Sequence, residues 1–377
     1  MFAFFATMVA RLVISPVVPE IVDTFDSSSS VVGLALTTMW MAYACAQFPS
    51  GVLADRYGER AVILTAVGLT AVASTLLALS PSILTFIFLT TILGSVAGLH
   101  YSVATTFLSR QFDNVGTAIG LHNSGAPLAG LLAPLAAAAV AVSIGWRGSI
   151  ALGTIAAAPI FVAFAWKIRP TEPARPNQPL GERFALGPAK DLFSRGPIAF
   201  TTLLAICGEF VWQATASFLP TFLIAAHGYS AALASGLFST YFVVHGLTQP
   251  VIGRLSDQWG RDRIAAACAG IGIAGYGLLI SGSGLGMVIS AIVLIGIAMS
   301  WSAAVLPRFM DNLSARERAA GFGLVRTTYM IISATGSAIV GTVAAFAGWN
   351  AAFSIFVLLL VFICIVLAIN HVFDCGL

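Results

Sequence analysis

The sequence predicts an all-α membrane protein of about twelve transmembrane helices, arranged as two pseudosymmetric six-helix halves. Three observations predict it. The 377-residue chain is 58% hydrophobic and only 9% charged, where a soluble domain carries about 25% charged residues. About twelve apolar runs can be placed, each near the roughly 20 residues that cross a bilayer. A motif between runs, Gly51-Val-Leu-Ala-Asp55-Arg56-Tyr-Gly58-Glu59-Arg60, returns 202 residues later as Gly253-Arg254-Leu-Ser-Asp257-Gln-Trp-Gly260-Arg261-Asp262-Arg263. Both copies read G-x-L-x-D-x-x-G with a basic tail, so one plan is used twice.

The runs do not alternate apolar and polar residues, which excludes a barrel; helices are then the way lipid lets a backbone satisfy itself. The first run, 2–22, starts without a basic leader or a small-residue cleavage site. It reads as a retained span, and its abrupt start suggests that a short leader precedes it. Run 31–53 ends on the first motif, with Gln47 four residues before Gly51, and run 61–80 leaves it. Runs 83–107 and 116–142 follow, and Gly145-Trp146 opens run 147–167. Residues 168–196 hold Pro170, Pro173, Pro176, Pro179 and Pro188 among charges of both signs, and read as a solvated linker. The second half repeats the order: run 197–225, run 231–253 with Gln249 four residues before Gly253, then 264–283, 286–307 and 319–345, with Gly348-Trp349 opening 348–370. Arg110-Gln-Phe-Asp113-Asn114 is echoed by Arg308-Phe-Met-Asp311-Asn312, and Pro19 by Pro220. The domains expected are 1–167, the linker, and 197–377.

Fifteen of the 18 basic residues fall in the linker or on loops of one side. The exceptions are Arg11, Arg147 and Arg326. The positive-inside rule puts both termini, the linker and both motif loops in the cytoplasm of a multi-pass cell-membrane protein. The same placement explains the net charge of +3 without a nucleic-acid partner. No nucleotide loop, catalytic triad motif or metal cluster is present, and the cysteines lack C-x-x-C spacing. An enzyme, a cofactor and a metal are therefore not expected. The expected partners are a small solute and the bilayer, around a monomer.

On these motifs the chain resembles the major facilitator superfamily of transporters over essentially its whole length. The family's pattern between spans two and three, G-x-L-a-D-r-x-G-r-[KR]-x-x-l, is matched by Gly51, Leu53, Asp55, Arg56, Gly58 and Arg60. Glu59 replaces the usual first basic residue of the tail. The second copy keeps Gly253, Leu255, Asp257, Gly260, Arg261 and Arg263. Span four keeps Gly94 and Gly98 but holds Thr90 where the family often has Arg. Span five, Gly120 to Gly130, only partly resembles the family's antiporter pattern. The resemblance implies a central cavity, alternating access, and motif loops that latch the halves together on the cytoplasmic side. The alternative is that these loops only terminate helices and orient the protein.

Buried charge supplies the candidate site. Arg11 lies in mid-span, where insertion of a charge costs about 3 kcal/mol, so it must face protein or water. An Arg eight residues before a proline resembles the first spans of organic-anion and organic-phosphate facilitators, where it grips a carboxylate or phosphate; a planar fork suits that task. The alternative is an ion pair with a structural acid, Glu209 among them. Glu209 is the only acid deep in a span, just ahead of Trp212 and Gln213, and a carboxyl there can bind and release a proton. Aligning Pro19 with Pro220 makes Trp212 the repeat equivalent of Arg11. Substrate contact is thus expected at Arg11, Trp212 and Gln213, and proton coupling at Glu209 and His122. His100 and His245 read as helix–helix partners, and Arg326, near the end of its span, as snorkelling to headgroups.

The reading is a secondary active transporter, proton-coupled, with a small organic anion as solute. One rival is an exporter of apolar or cationic compounds by proton antiport, with Glu209 holding the cation. A rival of another class is a transport-inactive receptor or scaffold, which should carry a large soluble domain or long tail.

Overall fold

The computed structural model describes residues 1–112, 115–170, 172–173, 192–313, 318–374 and 376. Asp113, Asn114 and most of the linker reading lie outside them. Among the described residues twelve helices are long and apolar enough to cross a membrane. They are α1 (Phe2–Thr24), α2 (Ser29–Tyr57), α3 (Glu59–Ala78), α4 (Ile83–Leu108), α5 (Gly120–Ile144), α6 (Trp146–Lys167), α7 (Gly196–His227), α8 (Ala231–Trp259), α9 (Arg261–Ser281), α10 (Leu285–Asn312), α11 (Gly321–Ala347) and α12 (Trp349–Val372).

The boundaries follow from local chemistry. Ser28, Ser82 and Ser230 cap α2, α4 and α8, each hydroxyl accepting from the amide three residues on at 3.3–3.4 Å. The motif turns are built alike in both halves. Gly58 (φ 84°, ψ 147°) joins α2 to α3, and Gly260 (φ 93°, ψ 146°) joins α8 to α9. A side chain is strained at such a φ, which is why the second glycine of the motif is fixed in both copies.

Span one is not the uninterrupted helix its hydropathy suggests. It is helical over Phe2–Leu12, tightens into a 3-10 turn at Ser15–Val17, and resumes over Val18–Thr24. Pro16 and Pro19 lack the amide donors that would carry the α-helix through. The break leaves carbonyls at the end of the first segment, where a cation is favoured, and Arg11 sits in that last turn. Span ten has a similar 3-10 step at Met299–Trp301.

Between the halves, α2 packs along α11 and α5 along α8. The α2–α11 crossing is set by glycine. A Cβ on Gly33 would collide with the Ser337 carbonyl, and one on Gly341 with the Ser29 carbonyl; small residues allow backbones this close. Hydroxyls stitch the same end. Ser30 Oγ and Thr342 Oγ1 are 2.8 Å apart. Thr37 Oγ1 donates to the Ala334 carbonyl at 2.9 Å and accepts from the Ala338 amide at 2.8 Å. Ser15 Oγ donates to the Ser217 carbonyl at 2.9 Å. The halves are therefore closed against each other at the end opposite the motif loops. Gly33→Val should wedge this crossing apart at a cost of roughly 1–3 kcal/mol, as overpacking does. On a background without native cysteines, a Ser30→Cys, Thr342→Cys pair should form a disulfide readily, and adding Gly33→Val should suppress it.

Candidate functional site

Arg11 is buried, 3% exposed. Its Nε donates to the Thr7 carbonyl at 3.1 Å and its Nη2 lies 2.8 Å from Met8 Sδ, so the stem is fixed by its own helix. The guanidinium carbon lies 4.0 Å from the ring centroid of Tyr43 and 5.0 Å from that of Trp40, both on α2. Ring faces are electrostatically negative and hold a cation in a desolvated site. No carboxylate comes within ion-pair distance of Arg11 among the described residues. The alternative of an Arg11–Glu209 pair is not what the structure has.

Trp40 is the hinge of the site. On its other side it meets Trp212 edge-on, with ring centroids 5.7 Å apart. The repeat equivalents Arg11 and Trp212 thus approach the same indole from opposite halves. One turn before Trp212, Glu209 accepts a hydrogen bond from Gln213 Nε2 at 3.0 Å. Gln213 Oε1 is buried and unbonded. The charge of Arg326 and the phenols of Tyr241 and Tyr329 lie within electrostatic reach of Glu209.

Arg326 corrects the sequence reading. It does not snorkel to the headgroups. Its guanidinium carbon lies 4.6 Å from the ring centroid of Tyr101 on α4, across the interface between the halves, and its Nε is buried without a partner. Proximity to a helix end does not fix the direction a side chain takes; the rotation of α11 onto α7 and α2 does. Tyr101 in turn packs 5.9 Å from His122. His122 stacks on Phe4 at 5.0 Å and lies 5.4 Å from His100, with its Nε2 buried and unbonded. The two coupling candidates, Glu209 and His122, are therefore not in direct contact; Arg326 and Tyr101 stand between them.

The motif residues gather at one end of the bundle. Arg60 donates to the carbonyls of Ala165 and Ile168 at 2.7 and 2.6 Å, capping the end of α6. Glu59, the departure from the family pattern, is buried and forms an ion pair with Arg110 at the end of α4. The other half answers with Asp262 and Arg308. In each half an acid of the motif tail thus holds an Arg at the end of the fourth span of that half. Arg261 pairs with Asp257 within the loop and with Asp311 at 3.4 Å. These contacts each lie within one half. Gly51 leaves open space around its α-carbon, and Asp55 and Arg56 are half-buried beside it.

The family follows from comparison with known proteins. The model of the Major Facilitator Superfamily matches residues 1–239 and 204–372. The chain belongs to this superfamily. It is 25% identical over 294 residues to a protein named probable sulfoacetate transporter SauU from Cupriavidus necator, covering 72% of this chain and 68% of that one. It is 29% identical over 272 residues to a chloramphenicol resistance protein of Pseudomonas aeruginosa, covering 70% of this chain and 62% of that one. The fold agrees with the crystal structure of a bacterial homologue of the human lysosomal transporter Spinster, inward-facing and occupied, at a TM-score of 0.83 and 16% identity over 98% of this chain and 94% of that one. At that identity the likeness speaks for the fold alone. The superfamily's transporter architecture is thus established for this chain, with twelve candidate spans among the described residues.

The sequence reading missed Trp40 and Tyr43. Aromatic residues on apolar helices read as core, and their spacing carries no signal. The signal that could have found them is the isolated charge: an intramembrane Arg needs an electron-rich surface when no acid is nearby.

Proposed function

We propose that this superfamily member carries a small organic anion across the cell membrane by alternating access, with uptake driven by a proton on Glu209. The observation that supports this reading most is Arg11: a buried, pre-oriented guanidinium in mid-membrane, backed by aromatic faces and facing no protein carboxylate. A charge in such a place is functional by default. Trp212 and Gln213 complete the solute's surroundings from the second half, and Gln213 offers a free buried acceptor. The name of the Cupriavidus relative, probable sulfoacetate transporter, points the same way. The monomer works with its termini and linker in the cytoplasm. His122 serves the proton path from the N-terminal half.

The Pseudomonas relative supports a second reading, export by proton antiport with Glu209 as the cation site. Uptake into inside-out and right-side-out vesicles separates the two. Under the first reading, an acid exterior drives sulfoacetate or another short organic anion into right-side-out vesicles. Accumulation of chloramphenicol or an organic cation by inside-out vesicles, with no anion moved, would replace it by the second.

The motif loops act as the gate at their end of the bundle. Asp257→Asn removes a partly exposed ion pair with Arg261, and such pairs stabilise by about 0–1 kcal/mol. Asp257→Asn and Asp55→Asn should therefore leave expression and melting temperature nearly unchanged while turnover falls severalfold. Normal turnover in both variants would reduce the loops to helix stops.

A further inference from the structure

We infer that Arg326 forms a second anion subsite in the same site between the halves, and that the solute therefore carries two anionic groups on a short backbone. The inference rests on the anion reading of Arg11 and goes beyond it. Arg326 enters from the other half of the molecule, half-buried, with its Nε sealed from solvent and unbonded. Like Arg11 it lies over a tyrosine ring, here Tyr101. Tyr43 lies under Arg11 at 4.0 Å and is also within electrostatic reach of Arg326. Neither has a carboxylate within ion-pair distance among the described residues.

Charge balance ties the valence of the solute to the protonation of Glu209. The spans hold two arginines in this region and one acid, Glu209. With Glu209 ionised the site carries a net +1 (two positive, one negative); with Glu209 neutral it carries +2. Uncompensated charge in a low-dielectric interior is expensive. A monoanion balances the first state and a dianion the second. Glu209 is hydrogen-bonded to Gln213 and reaches Arg326 only electrostatically, so it is a resident competitor for that subsite and not its fixed partner. The geometry thus assigns one anionic group of the solute to Arg11 and the other to Arg326. Guanidiniums accept carboxylate, sulfonate and phosphate oxygens alike; two groups on one short chain is the shared chemistry.

The test is equilibrium binding to the purified full chain in detergent. The probes are malonate, succinate and glutarate, each with two carboxylates, against butyrate with one. We expect at least one dicarboxylate to bind tenfold or more tightly than butyrate. Arg326→Gln should bring it down to the butyrate level and leave butyrate unchanged, whereas Arg11→Ala should weaken both. Glu209→Gln should tighten the dicarboxylate. If Arg326→Gln does not fold, Arg326→Lys decides: it should weaken the dicarboxylate alone. Equal binding of one-carboxylate and two-carboxylate probes, or equal weakening of both by Arg326→Gln or Arg326→Lys, overturns the second subsite and leaves the anion reading standing. A native protein that binds none of the four, nor sulfoacetate, overturns both.

Discussion

Arg11→Ala should lose anion binding by about thirtyfold or more. Truncating a buried, hydrogen-bonded charge partner costs roughly 2–5 kcal/mol, and each 1.4 kcal/mol is about tenfold. Arg11→Lys should fall between native and Ala, because it keeps the charge but loses the planar fork. Stability should behave differently. The guanidinium rests on Tyr43 and Trp40 and on its own helix, with no acid to leave stranded. The Ala variant gives up cation–π contacts of about 0.5–2 kcal/mol and is relieved of a buried charge, so the melting temperature of the empty protein should scarcely move. Thermal melting and direct binding on the same samples check both halves. Native affinity in Arg11→Ala removes the anion grip; a large drop in melting temperature with affinity retained makes Arg11 structural.

Glu209→Gln should abolish uphill accumulation while sparing exchange. The substitution keeps the size of the side chain and its hydrogen bond with Gln213, and removes only the group that can carry a proton. In right-side-out vesicles with an acid exterior, the internal anion concentration should then rise to equilibration and no further, whereas counterflow between preloaded and external anion proceeds at near-native rate. Undiminished accumulation in this variant would place coupling elsewhere, at His122 first.

The fold was legible in the sequence because its determinants are composition and repetition. Twelve apolar runs must become helices in lipid, and the paired turns at Gly58 and Gly260 can be recognised by their glycines before their dihedral angles are known. Arg11 and Glu209 stood out for the same reason: a charge inside an apolar run is visible in one dimension. What could not be read was rotation. Arg326 lies near a helix end, and sequence position cannot tell whether such a side chain turns outward to headgroups or inward onto Tyr101. Glu59 looked like a defect in a basic tail until folding placed it against Arg110. The break in α1 was foreshadowed by Pro16 and Pro19, but hydropathy averages over it.

Thr37 gives the closed end a property of its own. Its hydroxyl donates to the Ala334 carbonyl and accepts from the Ala338 amide of α11, serving both. Were α2 to withdraw, that carbonyl and amide, four residues apart as in an ordinary α-helical bond, would still have each other as partners. Parting the halves here strands no backbone group, each of which would otherwise cost about 1–3 kcal/mol. The exchange is self-compensating, and the resistance to opening falls to the packing around Gly33 and Gly341.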